Sequence, residues 1–513
     1  MSDLYLTNAL IETMDPDFPR ADTLAIKEGR ILAVGTGDRL KELINSRTDA
    51  VDLSGRTVLP GFIDAHLHLR ALAESLITLN LSPESGISSI GQIQERIHQE
   101  SLKRPPGTWI RAGGYNEIYL AEQRDPNRWD LDPAAPDHPV KLTHRSGHAQ
   151  VLNSPALKWL NITIETPDPP GGLMERDLET GEPTGVFYGA GDFLSELIPP
   201  LNREQLDQGV KLANQELVKA GITSFQDASS RNDLERWLSF EGWKTNGFLD
   251  SRVVMMLGWK GFEEYQSSRF PIIRDKNQLK PGGVKIVLDE TSGKLFPSQE
   301  ELNGIVLSIH KAGLQAAIHA IEETAVRAAC TAIEYVGRNV ARRDHRHRLE
   351  HCSVCPPDLA ERIASSGIMV VSNPAFIYFS GERYLKTVTP SQFNHLYPFA
   401  RLIKNDVPVA AGSDAPVAPV NPLAGIYGAV TRRAKTGGVV LEKEKIGVYE
   451  AVAMVTGTAA RSSFDEHQKG QIAPGKMADL VVLSDNPFSV PEEEIKNIQV
   501  EMTIIGGKVV YSI

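Results

Sequence analysis

Four histidines and one aspartate stand at or near the ends of short apolar runs, where their side chains could bind a metal ion. His66 and His68 close IDAHLHL, His319 lies in LQAAIHA, His351 lies in HRLEHC, and Asp414 closes VPVAAGSD. Imidazole and carboxylate groups are common ligands of zinc and similar metals. Side chains two positions apart on a strand point the same way, so His66 and His68 would face one point. This pattern predicts a metal centre that activates water.

Each of these residues also has a structural interpretation. A single histidine on an apolar strand is often a core residue with satisfied hydrogen bonds. Asp414 precedes Ala415-Pro416, and proline suits a first helical turn, so Asp414 could cap a following helix. Four imidazoles on three strand ends are, however, hard to explain by packing. Beside a metal, Asp414 could bind the ion and accept a proton from the attacking water.

Lys285 lies in the middle of the apolar run VKIVLD. A buried ammonium group costs free energy unless it is paired or chemically changed. In one interpretation the side chain reaches solvent or pairs with Asp289 or Glu290. In the other its amine carries a carboxylate from carbon dioxide, forming N6-carboxylysine, which would bridge two metal ions. The residues by themselves leave both interpretations open.

The elements that must position these side chains are eight apolar runs, most of them followed by helical patterns. The runs are IDAHLHL, ITSFQD, RVVMML, VKIVLD, LQAAIHA, HRLEHC, IMVVSNP and VPVAAGSD. Such alternation is typical of an α/β fold with a (β/α)8 barrel, whose sites lie at the C-terminal strand ends. We predict this barrel over residues 59–461, with an insertion at roughly 70–202 covering its mouth. Strand-like runs at both termini predict a small β-sandwich built from residues 1–58 and 462–513.

Composition excludes several classes of protein. The 65 acidic residues outnumber the 54 basic ones, giving a net charge of -11, which disfavours a nucleic-acid partner. No run approaches about eighteen uninterrupted apolar residues, so we expect no membrane span. Three cysteines in 513 residues fit a reducing cytoplasm. The C-x-x-C of Cys352 and Cys355 has no second pair, which argues against a structural zinc site.

The motifs together resemble the amidohydrolase superfamily, through PGFIDAHLHL, GSDAPV and KGQIAPGKMADLVVL. Three further stretches narrow the resemblance to amidohydrolase family 3, of the YtcJ-like type: HRSGHAQVLNSPAL, PPGGLMERDLETGEPTGVF and GSDAPVAPVNPLAGIYGAVTRR. The resemblance implies a (β/α)8 barrel with a β-sandwich from both termini. It also implies metal ligands on the first, fourth, fifth, sixth and eighth strands: His66, His68, Lys285, His319, His351 and Asp414.

The activity expected from this resemblance is hydrolysis of a carbon–nitrogen bond in a small molecule, with one or two zinc ions. Amides, cyclic amides, formamides and carbamates all suit a metal-activated water with Asp414 as proton carrier. Arg145 and His148, in HRSGH, are candidates to bind a substrate carboxylate or developing oxyanion. Arg145 could instead form an internal salt bridge. Tyr115, in GGYNE, is a further pocket candidate.

Two other functions remain open at this point. Deamination would need only one metal and no functional Lys285, and a non-catalytic protein could bind metal or a small ligand without turnover. The chain also departs from its relatives, with Asp289-Glu290-Thr291 and Glu322-Glu323 where relatives often carry Asp-Gly and Gly-Asp pairs. Both departures bear on which substrate is bound, because the loops that carry them are expected to line the pocket. For assembly we hypothesise a homodimer.

Overall fold

Eight parallel strands form one sheet in chain order. The computed structural model describes residues 1–169, 171–267, 270, 275, 277–290 and 295–513, so Pro170 and Thr291 of the motifs above lie outside the described residues. The strands are Phe62–Leu67 (β1), Ile222–Asp227 (β2), Arg252–Leu257 (β3), Leu279–Val287 (β4), Ala316–Ala320 (β5), Arg348–His351 (β6), Met369–Ser372 (β7) and Val409–Ala411 (β8). The predicted barrel strands and their order are confirmed.

Backbone hydrogen bonds just beyond β8 nearly close this sheet into a barrel. The Asp414 N–H donates to the His66 carbonyl at 2.7 Å, and the His68 N–H donates to the Ala415 carbonyl at 3.0 Å. The first and last strands are thus tied together at their C-terminal ends, which is the end where barrel enzymes place their sites.

Amphipathic helices connect the strands. In Glu323–Asn339, for example, Val326, Ala329, Ile333 and Val336 are buried at helical spacing. The helices that follow β2 to β8 are Leu234–Thr245, Trp259–Gln266, Gln299–Lys311, Glu323–Asn339, Pro357–Ser365, Ala375–Thr387, Pro390–Phe393, Phe399–Lys404, Pro422–Thr431, Val448–Met454 and Gly457–Ser462.

Strands from both termini build two further sheets around a common apolar core. The four-stranded sheet has the order Arg30–Gly35, Thr23–Lys27, Leu4–Thr7 and Asp49–Asp52. The six-stranded sheet has the order Lys508–Ser512, Val500–Ile505, Leu480–Leu483, Thr57–Pro60, Leu10–Glu12 and Arg20–Ala21. The predicted β-sandwich is therefore confirmed, while its boundaries at residues 58 and 462 stay a prediction.

The first apolar run of the chain, residues 4–11, contains two strands of different sheets. Leu4–Thr7 and Leu10–Glu12 are separated at Asn8, which has a left-handed backbone with φ 51°. Asparagine tolerates this conformation better than most residues. Its side-chain amide donates to Asp52 Oδ1 at 2.9 Å, which holds the turn in place.

A second compact unit comprises Leu69–Ala213 and Leu288–Ser298. Its six-stranded sheet has the order Leu173–Arg176, Pro183–Tyr188, Ala149–Leu152, Val140–His144, Ile110–Tyr115 and Leu79–Asn80. Its helices are Leu69–Ile77, Ile90–Ser101, Arg128–Leu131, Ser154–Trp159 and Gly191–Leu197, and the helix Arg203–Lys219 runs from this unit into the first. This unit corresponds to the predicted insertion, and its place over the barrel mouth stays a prediction.

Two features bear on the expectations from composition. Cys330, Cys352 and Cys355 are buried with free thiols. Among the described residues, every helix is too short or too polar to cross a membrane.

A buried ion pair links β3 to the C-terminal strands. Arg252 Nε and Nη2 donate to the two carboxylate oxygens of Asp479 at 2.7 and 2.9 Å. Their side chains are only 7% and 3% exposed. The same carboxylate accepts the Gly506 N–H at 2.8 Å, so it holds three donors from two parts of the chain.

We expect Asp479→Ala to lower the free energy of unfolding by about 3–5 kcal/mol, because Arg252 would be left as an unpaired buried charge. Urea denaturation followed by circular dichroism measures this change. The control is Asp358→Ala, because the Arg327–Asp358 pair is 42% and 58% exposed and should contribute less than about 1 kcal/mol. Equal losses of unfolding free energy in the two variants would contradict a stabilising role of the buried Arg252–Asp479 pair.

Candidate metal centre

Two histidines of β1 and an aspartate after β8 form a group that could hold a metal ion. Asp414 Oδ1 lies 3.1 Å from His68 Nε2 and 3.5 Å from His66 Nε2. One ligand atom from each of the three residues lies within 4.8 Å of the others. Two imidazole nitrogens and one carboxylate oxygen form a donor set that suits zinc and related divalent metals.

The position of Asp414 follows from the chain leaving β8. Asp414 has a left-handed backbone with φ 57°, and its N–H is bound to the His66 carbonyl. The next helix begins only at Pro422 and is capped by Asn421, whose side chain accepts the Ala424 N–H at 2.9 Å. The alternative interpretation of Asp414 as a helix cap is therefore wrong.

His319 of β5 and His351 of β6 approach the same place. The His351 ring centroid lies 4.8 Å from that of His66 and 4.6 Å from that of His319. His351 Nδ1 lies 2.7 Å from Asn373 Oδ1. Because an amide oxygen only accepts, Nδ1 carries the proton and Nε2 keeps its lone pair for a metal.

Lys285 completes the cluster. Its side chain is buried, and Nζ lies 3.4 Å from His66 Nε2. Burial lowers the pKa of this ammonium group to about 8, which increases its neutral fraction near neutral pH. The interpretation in which Lys285 reaches solvent is thus wrong. All six predicted ligands come together at one end of the barrel, while their role as ligands stays a prediction.

Burial also sets the charge of the cluster. It lowers the pKa of His66, His319 and His351, the first two well below the ordinary range, so these imidazoles are neutral. Neutral imidazole is the form that binds metals. Burial by itself would raise the pKa of Asp414, but the hydrogen bond from the His68 ring holds it below its usual value. Asp414 is consequently ionised.

The sequence interpretation missed a buried ion pair beside the site. Glu350 Oε2 accepts a short hydrogen bond from His66 Nδ1, and Arg348 donates to both oxygens of the same carboxylate. The side chains of Glu350 and Arg348 are fully buried. A carboxylate on the second nitrogen of a metal-binding histidine orients the ring and raises its basicity. The sequence feature that could have revealed this pair is the presence of two charged residues in the short strand RLEH.

Two further polar residues, Asp64 and Asn373, fix the positions of the predicted ligands by hydrogen bonds. Asp64 accepts the His66 N–H at 3.1 Å and the Ser413 N–H at 3.0 Å, so it joins β1 to the segment after β8. Burial raises the pKa of Asp64 to about 6. Asn373 Nδ2 donates to the Gly412 carbonyl at 3.0 Å, which fixes the amide that contacts His351. In the sequence, both residues could have been noticed as polar residues in or next to apolar strands: Asp64 in PGFIDA and Asn373 in SNP.

The three predicted substrate-binding residues lie in the second unit, near the ends of adjacent strands. Tyr115 is buried, and its hydroxyl donates to Asp125 Oδ1 at 2.8 Å. The Arg145 N–H donates to the Tyr115 carbonyl at 2.9 Å. The His148 N–H donates to Ser146 Oγ at 3.2 Å. Their part in substrate binding stays a prediction.

Comparison with known proteins agrees with this architecture. A model described as the amidohydrolase family matches residues 49–511. The YtcJ protein of Bacillus subtilis (strain 168) is 28% identical over 98% of both chains. The N-substituted formamide deformylase of Arthrobacter pascens is 28% identical over 100% of this chain and 98% of its own. A solved structure of an uncharacterized metal-dependent hydrolase from Pyrococcus horikoshii OT3 is similar, with a TM-score of 0.77, 25% identity and coverage of 96% and 99%.

We expect Glu350→Gln to weaken metal binding by about 10–100-fold, because a neutral amide accepts the His66 Nδ1–H more weakly than a carboxylate and no longer raises the basicity of the ring. Competition with a chromogenic zinc chelator measures the affinity. Glu444→Gln serves as a matched control, since Glu444 is also buried but pairs with Arg401 at 3.0 Å. Unchanged zinc affinity in a folded Glu350→Gln protein would refute the role given to Glu350.

Proposed function

Because this chain belongs to the amidohydrolase family, we propose that it hydrolyses a carbon–nitrogen bond in a small molecule. The proposed substrate class comprises amides, cyclic amides, formamides and carbamates. The observation that carries the proposal is the ionised Asp414 carboxylate, which lies within 3.5 Å of both His66 Nε2 and His68 Nε2. This arrangement supports a role for Asp414 as proton acceptor beside the proposed metal ligands.

We propose zinc as the metal, in one or two ions held by the four histidines, Asp414 and the modified Lys285. Zinc supplies a lowered pKa for water and an electrophile for the substrate carbonyl. The chain supplies neutral imidazoles as ligands, and Glu350 and Asn373 fix the orientation of His66 and His351. Oriented ligands need little reorganisation on metal binding.

Asp414 is the proposed proton carrier. Its lowered pKa keeps the carboxylate ionised at neutral pH, so it can take a proton from the attacking water. The same proton would then pass to the leaving nitrogen, which departs as a neutral amine. The carboxylate keeps its position during both transfers because its backbone N–H is bound to the His66 carbonyl at 2.7 Å.

Lys285 is the proposed bridge between two ions. Its neutral amine would add to carbon dioxide, forming a nitrogen–carbon bond and releasing one proton, which turns the neutral amine into an anionic carbamate. The lowered pKa of Lys285 and its distance of 3.4 Å from His66 Nε2 support this modification. An anionic bridge would also remove the free-energy cost of an ammonium group among imidazoles.

Similarity to a protein named N-substituted formamide deformylase places formamides in the substrate panel. Arg145, His148 and Tyr115 are the proposed substrate-binding residues in the second unit. We also propose a cytoplasmic location and a homodimer. Product analysis tests the reaction class, because hydrolysis of an N-substituted amide releases an amine and an acid, whereas deamination releases ammonia.

We expect Asp414→Asn to lower kcat by about 10²–10⁴-fold on an N-substituted formamide or cyclic amide, because an amide cannot accept the proton. Asparagine tolerates the left-handed backbone at this position, so the fold should persist. Asp406→Asn is the control, since Asp406 is exposed and has a similar φ of 60°. Full activity in Asp414→Asn would exclude its role as proton carrier.

We expect Lys285→Ala to lose bound zinc and activity, and a short carboxylic acid added in solution to restore part of both by occupying the bridging position. Elemental analysis and steady-state kinetics measure the two quantities. The control is Lys280→Ala, because Lys280 lies on the same strand but pairs with Asp465. Retained zinc without rescue would assign Lys285 a structural role.

A further inference from the structure

The sheet of the second unit has two chemically different faces. Alternate residues of its parallel strands Ile110–Tyr115 and Val140–His144 point to opposite faces. One face presents Ile110, Ala112, Val140 and Leu142 to a buried apolar core. By the same alternation Arg111 and Lys141 lie on the other face, and so does Trp109, which directly precedes the first strand and packs against a different apolar cluster. Three nitrogen-bearing side chains thus share one side of two neighbouring strands.

Arg111 and Lys141 stand directly opposite each other, as paired residues of these strands. Like charges at paired positions repel and destabilise a sheet. Glu74, on the helix Leu69–Ile77, is a carboxylate whose charge acts on both. That carboxylate already accepts a hydrogen bond from Arg70 Nε at 3.0 Å. Three cations therefore share one carboxylate in this part of the unit.

Lys141 feels the charge of Glu74 without a direct contact to it among the described residues. Within the described residues, its Nζ makes no hydrogen bond and no ion pair. Burial lowers the pKa of Lys141; the charge of Glu74 opposes this shift and the charge of Arg111 adds to it. Arg111 donates a short hydrogen bond to the Pro199 carbonyl, and its other N–H groups have no hydrogen-bond partner in the part of the chain that the structure describes.

Trp109 adds a second donor without a partner on the same face. Its indole Nε1 is buried and makes no hydrogen bond within the described residues. The indole is held by packing instead, with its ring centroid 5.7 Å from that of Trp159. Buried donors without acceptors are rare in folded proteins. Two cations on the same face of the sheet as such a donor favour an anion with oxygen acceptors.

We propose that this face binds a small oxyanion, a carboxylate or phosphate group, held by Lys141 and Arg111 with the indole N–H of Trp109 as a third donor. The ammonium group would supply positive charge, and the guanidinium group would supply paired N–H donors. The indole would supply one N–H donor in a fixed direction. The site lies wholly within the second unit and does not depend on the proposed hydrolytic function.

The test measures the melting temperature of the full chain against acetate and against inorganic phosphate, at constant ionic strength set with chloride. We expect the wild-type Tm to rise by about 2–4 °C near saturation, because a ligand that binds only the folded state stabilises it. Lys141→Met should lose this rise and should melt higher than wild type without the anion, because the unpaired ammonium is gone. If Lys141→Met does not fold, Lys141→Gln takes its place.

Lys158→Met is the control, because Lys158 is an exposed lysine on the helix Ser154–Trp159 of the same unit. It should keep the full wild-type response to the anion. Stabilisation by acetate would identify a carboxylate site, and stabilisation by phosphate alone would identify a tetrahedral-oxyanion site. No response in wild type, or an equal rise in wild type and Lys141→Met, would overturn the proposal.

Discussion

The seam between the first and eighth barrel strands is the constraint on which the metal centre depends. The backbone of Asp414 is bound to that of His66, and the buried carboxylate of Asp64 accepts N–H groups from both sides of the seam. Gly412 permits this approach, because a Cβ at that position would lie 2.5 Å from His66 Cβ. The seam brings together a histidine pair and an aspartate that are 346 residues apart, from His68 to Asp414.

Burial explains the rest of the arrangement around this seam. Charged groups in a barrel interior are costly unless they are paired. The barrel meets this requirement in two ways: burial keeps the imidazoles neutral, and Arg348 holds both oxygens of Glu350. Lys285 is the exception among the buried ionisable groups of the barrel, because it is an amine next to imidazoles. Its proposed carboxylation would remove the cost of burying an ammonium group there. The second unit presents the same problem at Lys141, where the proposed solution is a bound oxyanion.

Most of the fold and the positions of the predicted ligands followed from local pattern. Eight apolar runs ending in polar residues indicated a barrel, and His66, His68, His319, His351 and Asp414 stand where such runs end. Glu350 and Arg348 were missed because nothing in the spacing of RLEH shows that their partners are His66 and Gln226 on other strands. The assignment of Leu4–Thr7 and Leu10–Glu12 to different sheets is likewise a property of the tertiary structure, because it depends on which distant strands pair with each of them.

The sequence by itself determined the types of donors and the strands that carry them, because alternation along a strand and polar strand ends are local properties. Only the tertiary structure decided which interpretation of an ambiguous residue holds. Asp414 faces His66 and His68 instead of capping a helix, and Lys285 turns toward His66 instead of solvent. These choices depend on contacts between residues hundreds of positions apart, and such contacts exist only once β1 and β8 lie side by side.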